Sequence, residues 1–308
     1  MTWTPTDMPD QSGRTVLVTG ATSGLGFAAA VALARGGARV LLTARDPERG
    51  KAALDRVQGA GGDAELVELD LADLASVRRA AADVRARTGD ALHVLMNNAG
   101  VMATPRAATV DGFELQIGTN HLGHAALTWL LMPALRAAGA ARVVTVSSLA
   151  HRGPGLNVDD LHFARRAYRP DLAYSQSKLA NLLFTAELDR RLRAAADDVI
   201  AVAAHPGLTD TELLGNSLRR RGPEWLATTG RLVNRVITQP VRRGVLPQLY
   251  AATAAQVRGG DYIGPGGLAE TRGLPAPARR SSAAQDPELA RRLWVATAEA
   301  TGVEPDPA

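Results

Sequence analysis

Short apolar runs alternate along the chain with longer Ala/Leu-rich stretches of helical period. Residues 14–19, 39–43, 64–69, 92–96, 142–147 and 199–204 each read as a short, near-continuous apolar run. That pattern marks strands covered on both faces, as in a parallel sheet. The intervening spacing predicts helices over 24–36, 47–58, 74–88, 112–138 and 172–195. Pro47 falls at a helix start, where its missing N–H costs nothing. Alternation of this kind predicts an α/β fold with right-handed crossovers: one Rossmann-type domain, a doubly wound parallel sheet with helices on both faces. A late strand at Tyr262 and Ile263 is expected to close the sheet edge.

Several segments depart from this rhythm. Residues 1–12 read as a flexible tail, 13–270 as the domain proper and 271–308 as an extension ending in one helix, 287–301, and a frayed tail. The stretch 151–170, rich in Gly, Pro and polar residues, predicts a loop or short extra elements. Residues 208–238, with Leu213, Leu214, Trp225, Leu226 and Ile237, follow the carboxyl end of a strand, where open α/β sheets bind ligands. They are expected to form a partly mobile apolar lid.

Composition narrows the function classes. Cysteine is absent, which excludes disulfides, zinc thiolate sites and thiol nucleophiles and fits a reducing cytoplasm. Aromatic residues make up only 4%, so the core must be built from Ala, Val and Leu. A pI near 9.9 reflects a net charge of only +4 in an arginine-rich chain. The arginine clusters at 219–221, 242–243 and 279–280 lack interleaved aromatics or a motif, so no nucleic-acid partner is expected. No leader-like run opens the chain, and no stretch approaches the length of a membrane span. A membrane partner is therefore not expected either.

The first strand runs directly into Gly20-Ala21-Thr22-Ser23-Gly24-Leu25-Gly26, and a helix begins at once. Glycines here let backbone N–H groups approach a pyrophosphate at the positive end of a helix. The spacing lacks the Gly-Lys-Ser/Thr ending of a P-loop, which disfavours nucleotide hydrolysis. Roughly 20 residues further on, where an acid would hold a ribose 2′-OH, the chain offers Ala44 and Arg45. A guanidinium suits a 2′-phosphate, so NADP is favoured, with surface pairing to Asp46 as the rival role for Arg45.

Tyr174 and Lys178 stand one helical turn apart and share a helix face. Free phenol and ammonium groups have pKa values of ~10 and ~10.4. An ammonium beside the phenol favours the phenolate and draws its pKa down, so the tyrosine can exchange a proton with a carbonyl or alcohol oxygen. Ser147 and Ser148 end the strand before this helix. Adjacent strand residues point to opposite faces, so one of them can hold a substrate oxygen.

Taken in order, Thr19-Gly20-x-x-x-Gly24-x-Gly26, Asn97-Asn98-Ala99-Gly100, Ser148, Tyr174-x-x-x-Lys178 and Pro206-Gly207 resemble the motifs of the short-chain dehydrogenase/reductase family along nearly the whole chain. The resemblance implies NADP as cofactor, with Thr22, Ser23, Leu25 and the three glycines at the pyrophosphate. It places Asp70 and Leu71 at the adenine, and Pro206, Gly207, Thr209 and Thr211 at the nicotinamide. Asn98, Ala99 and Gly100 join them, Asn98 as either a sheet brace or a cofactor contact. The catalytic set is Asn120, Ser148, Tyr174 and Lys178. Asn120 supports a water relay to the lysine, Lys178 also orients the ribose, and alignment prefers Ser148 to Ser147.

The long gap from Ser148 to Tyr174, the flanking SSLAH and YSQSKLAN sequences and the Leu293-Trp294 helix resemble the retinol dehydrogenase-like branch. Its membrane-bound members carry an amino-terminal anchor that has no counterpart here, which points to a soluble reductase of a lipophilic carbonyl. The apolar face at Leu179, Leu182, Leu183 and Phe184 fits either a homo-oligomer interface or burial in the fold.

Rival readings have less behind them. No G-x-S-x-G elbow supports a Ser-His-Asp hydrolase. His121 and His124 have metal-like spacing without a third ligand. A non-catalytic NADP sensor would not require the tyrosine and lysine, and a C=C reductase of the protochlorophyllide kind uses a cysteine this chain lacks.

Overall fold

In the computed structural model, residues 3–209 and 238–307 are described. The strands are β1 (Thr15–Val18), β2 (Arg39–Ala44), β3 (Ala64–Glu68), β4 (Val94–Asn97), β5 (Arg142–Val146), β6 (Ile200–Ala204), β7 (Tyr262–Pro265) and β8 (Pro275–Pro277). They form an eight-stranded sheet in the order β3-β2-β1-β4-β5-β6-β7-β8. β1 through β7 are parallel, and only β8 runs antiparallel, against β7. The order reverses between β1 and β4, the kind of position where doubly wound sheets open a crevice at their carboxyl ends.

Alternation along each strand separates the two faces. Leu17, Leu41, Leu95, Val143 and Ala201 point into one core with α3 (Leu74–Thr88), α4 (Gly123–Ala138), α5 (Pro170–Ala194) and α7 (Pro287–Thr301). Val16, Val40, Met96, Val144 and Val202 point into the other, with α1 (Gly24–Arg35), α2 (Pro47–Gly59) and α6 (Leu246–Thr253). Both faces of the central strands are therefore dry, as their apolar runs require, whereas β3, expected to be covered on both faces, is a sheet edge with Glu65 half-buried and Glu68 exposed.

Four other expectations need correction. β7 is not the sheet edge: β8 adds outside it, and its two prolines are tolerated because an edge strand leaves half its N–H groups unpaired. Residues 3–12 are not a free tail, since Trp3 is buried and meets Tyr250 edge-on at 5.4 Å. The chain after α7 is also anchored, with Val303 buried and Arg136 paired to Asp306. The single helix expected over 112–138 is interrupted, passing from Leu115–Ile117 through a π-helical turn at Gly118–Leu122 before α4 begins. The 151–170 stretch does contain short elements, with a 3-10 turn at Leu149–Arg152 entering it and another at Val158–Asp160. The expected lid, 208–238, lies outside the described residues except for 208, 209 and 238.

The apolar face of α5 is covered by this chain's own α7. Trp294 stacks on Phe184 at 5.5 Å and meets Trp129 edge-on at 4.9 Å, while the Arg191 guanidinium lies 4.8 Å over its ring. Leu179, Leu182 and Leu183 are buried in a cluster with Leu293 and Ala290 of α7. Trp294→Ala is expected to destabilise the fold by about 3–5 kcal/mol, since the aromatic layer cannot collapse onto the void. Urea unfolding of the two chains measures the difference.

Candidate active site

The glycine-rich loop fits because it is stripped of side chains where backbone segments touch. A Cβ on Gly26 would stand 2.4 Å from the Gly20 carbonyl oxygen and 2.5 Å from Asn98 Nδ2. Gly20 adopts φ +65°, which favours glycine. The loop can therefore fold tightly against 97–100 while the first turn of α1, entered from Ser23, presents its free N–H groups to the crevice. That is a fit for a dinucleotide pyrophosphate. Thr22 and Leu25 are half-buried along the same turn.

Around this loop the structure sorts the expected cofactor residues. Arg45 is exposed just past the end of β2, while Asp46 caps α2 by accepting from Arg49 N at 3.0 Å. Among the described residues no ion pair joins Arg45 to Asp46. Asn98 is a brace: its Nδ2 donates to Thr19 O at 2.8 Å, and its Oδ1 faces Gln248 Nε2 at 3.5 Å. Asp70 Oδ1 accepts from Ala72 N at 2.9 Å, closing its own turn, and the Leu71 side chain is buried in the core. Pro206 and Gly207 leave β6 toward the same edge. Thr209 Oγ1 donates back to Pro206 O at 2.8 Å, so its hydroxyl proton closes the turn. Thr211 lies outside the described residues. Ala99 and Gly100 are half-buried beside the loop.

The end of β5 and the middle of α5 bring the catalytic candidates together. Ser147 is buried, and its Oγ donates to Lys178 O at 2.8 Å. Ser148 is half-buried and its hydroxyl lies beside the Tyr174 phenol, which separates the two serines as strand alternation demands. Its Oγ also accepts from Ala150 N at 3.2 Å, capping the 3-10 turn. Lys178 Nζ donates to Val146 O at 3.1 Å and lies 5.8 Å from the Tyr174 ring centre. Asn120, in the π-helical turn, receives Val101 N on Oδ1 at 2.8 Å. Its Nδ2 donates to Val101 O and to Ser177 Oγ, both at 2.9 Å. A Cβ on Gly100 would lie 3.0 Å from Asn120 Oδ1 and 3.5 Å from Lys178 Nζ, so these groups share one pocket wall.

Electrostatics correct one expectation. Burial pushes the Tyr174 phenol up, with the neighbouring Ser148 hydroxyl opposing it. Burial also draws the Lys178 ammonium down to about 8. In the protein alone, desolvation of both groups therefore outweighs the attraction expected from their spacing.

Some supporting residues carried no motif signal. Ser177 holds Asn120. His151, 1% exposed, sits at 2.7 Å from Ser148 O, where only Nδ1–H can donate to the carbonyl. His124 is buried between Thr19 Oγ1, 2.9 Å from Nε2, and Asn120 O, 3.0 Å from Nδ1. His121 faces Thr297 Oγ1 of α7 at 2.8 Å. The ring nitrogens of the 121/124 pair thus serve separate hydrogen bonds. Spacing alone gave no means of finding the contacts of Ser177 with Asn120, His124 with Thr19 or His121 with Thr297, since those partners are distant in sequence.

A short chain dehydrogenase family profile matches residues 14–222. A polyprenol dehydrogenase from Mus musculus is 43% identical over 97% of this chain and 87% of its own length. Retinol dehydrogenase 13 from Homo sapiens is 39% identical over 95% of this chain and 86% of its own. A crystal structure of an uncharacterized protein from Mycobacterium Paratuberculosis superposes with TM-score 0.81 at 45% identity, covering 99% of each chain. A proposed NAD(P)-dependent gluconate 5-dehydrogenase from Beutenbergia cavernae, with NADP bound at low occupancy, superposes with TM-score 0.63 at 29% identity. It covers 82% of this chain and 94% of its own.

The depressed Lys178 value has a pH signature. Between about 8 and the ordinary 10.5, the unfolded chain holds a proton that the folded lysine has released. Stability contributed by this group therefore rises with pH through that window and is lost as pH falls through 8. The Lys178→Met protein should lack this increment, worth at most about 3 kcal/mol. Parallel denaturant titrations of both proteins across the window read it.

Proposed function

The chain belongs to the short chain dehydrogenase family, and from that premise we propose that it interconverts a ketone or aldehyde and an alcohol with NADP(H) as cofactor. The observation that carries this reading is the convergence of Ser148, Tyr174, Lys178 and Asn120 at the sheet edge that also presents the glycine-rich loop. A bound nicotinamide supplies or accepts the hydride at the substrate carbon.

The chain's own residues handle the oxygen and the proton. In the reductive direction the Tyr174 hydroxyl donates its proton to the carbonyl oxygen, and the Ser148 hydroxyl holds that oxygen by a second hydrogen bond. The phenolate left on Tyr174 is favoured by the Lys178 ammonium, whose other neighbour is the Val146 carbonyl. Lys178 is also the group that would orient the cofactor ribose. Asn120 serves the relay that reprotonates the phenol. Its side-chain amide is fully engaged by Val101 and Ser177, which leaves the main-chain oxygen, partly taken by His124, as the acceptor for a water.

NADP is preferred over NAD because Arg45, not an acid, stands past β2, exposed and suited to bidentate contact with a 2′-phosphate. Support for a lipophilic substrate comes from the names of the polyprenol and retinol dehydrogenases. No described helix is long and apolar enough to cross a membrane. Together with the absence of cysteine, this supports the proposal of a cytoplasmic enzyme acting on a small molecule.

A panel of lipophilic aldehydes, ketones and alcohols, followed by NADPH absorbance with NADH in parallel, tests the reading. Tyr174→Phe is expected to lower kcat by about 10²–10⁴-fold, the range for loss of a positioned proton donor. Arg45→Ala should raise KM for NADPH about tenfold while leaving KM for NADH unchanged. Full turnover by the phenylalanine variant would remove the proton assignment, and equal use of both cofactors by the unaltered protein would remove the Arg45 argument.

A further inference from the structure

His124 lies outside the proposed chemistry, yet its surroundings determine its state. The ring is 2% exposed. Nδ1 lies 3.0 Å from Asn120 O, and a carbonyl only accepts, so Nδ1 carries the proton. Nε2 is then bare and accepts from Thr19 Oγ1 at 2.9 Å. The threonine hydroxyl, having given its proton to the ring, accepts Asn98 N at 2.9 Å and Ala99 N at 3.0 Å. Thr19 Oγ1 also lies 3.3 Å from Met96 O, but that carbonyl already accepts Thr19 N and Asn98 N, whereas the bare Nε2 has no other donor among the described residues, so the hydroxyl proton goes to the ring.

The ring's own backbone is fixed as well. Thr128 Oγ1 donates to His124 O at 2.7 Å and accepts from Asn97 Nδ2 at 2.9 Å, which ties the first turn of α4 to the end of β4. The two ends of the ring reach two different parts of the site. Thr19 opens the glycine-rich loop and holds the backbone of 98 and 99. Asn120 sits in the π-helical turn, whose widened geometry frees backbone groups from their usual helical partners.

We propose that His124 is a positioning residue, a neutral strut that sets the distance between the cofactor loop, through Thr19, and the π-helical turn that carries Asn120. The strut rests on the functional reading above, because that reading gives its two ends their roles. Burial, with Lys178 nearby, holds the ring's pKa down at about 4, so it remains neutral where the enzyme would work.

Three substitutions separate the two ends. In His124→Asn the side-chain amide keeps a donor near the Nδ1 position and loses the reach to Thr19. In His124→Gln the longer side chain keeps an acceptor near the Nε2 position. His124→Leu keeps neither. With NADPH as the titrant, the asparagine variant is expected to hold kcat within about threefold and weaken the NADPH Kd by about tenfold. The glutamine variant should do the reverse, and leucine should lose both, each lost bond being worth roughly one factor of ten. Melting temperatures are recorded alongside, so that loss of folded protein is not read as loss of position.

Imidazole nitrogen NMR of the unaltered protein should show the proton on Nδ1 and a bare Nε2 at neutral pH. The strut is overturned if the proton sits on Nε2. It is also overturned if leucine leaves both kcat and Kd unchanged, or if all three variants lose both quantities only in step with their melting temperatures. An unaltered protein that shows the Nδ1–H ring but binds no NADPH sinks the functional reading and, with it, the catalytic role of the strut.

Discussion

The carbonyl oxygen of Val146 receives two donors from α5, the Lys178 ammonium and the Asn181 amide, each at 3.1 Å. Ser147 returns a bond from strand to helix through Lys178 O. The last turn of a strand and the middle of a helix are thereby joined at three points. Every distance in the site follows from that joint. It sets the height of the phenol above the sheet, the side on which Ser148 emerges and the direction in which the ammonium can look. Because both elements are buried, the joint also works in low dielectric, where an unmet donor costs more than in water.

Crowding gives the opposite wall its shape. The glycine-rich loop lies against 98–99 at distances that leave no room for a side chain, so loop and strand end move as one body. Between the two walls stand Asn120 and its π-helical turn, bonded to Val101 on one side and Ser177 on the other. The site is therefore a set of backbone segments held at fixed separations, with few side chains exposed between them. Such preorganisation is what proton transfer and oxygen binding need.

Much of this was legible in the sequence. A strand such as β6, apolar at every position, could only be central, whereas the glutamates of β3 already marked an edge, and the strand–loop–helix order around Gly20 located the crevice. That Ser147 and Ser148 divide the labour followed from strand alternation, but the choice of Ser148 came only from the resemblance to the family. The interrupted helix was not legible. A π-helical turn has the same apolar periodicity as the α-helix on either side, and it is set by tertiary contacts of Asn120 that no local pattern encodes. β8 falls in the stretch read only as an extension, because edge pairing leaves no periodic trace in three residues. The phenol's pKa went astray for a related reason. Spacing reports that an ammonium is near, but not that both groups have been taken out of water.

The dependence of α5 on α7 bears on how the protein is made. Strands β1 to β3 pair with one another within the first third of the chain, although α1 still awaits α6. The helix that carries Tyr174 instead keeps an open seam until residues 287–301 have been synthesised, because Trp294 supplies the aromatic layer over Phe184 and Trp129. During translation the first three strands can pair on the ribosome while the catalytic helix waits with apolar surface uncovered. The interval between those two events is when this chain is most open to chaperone capture or to pairing with a neighbouring nascent chain.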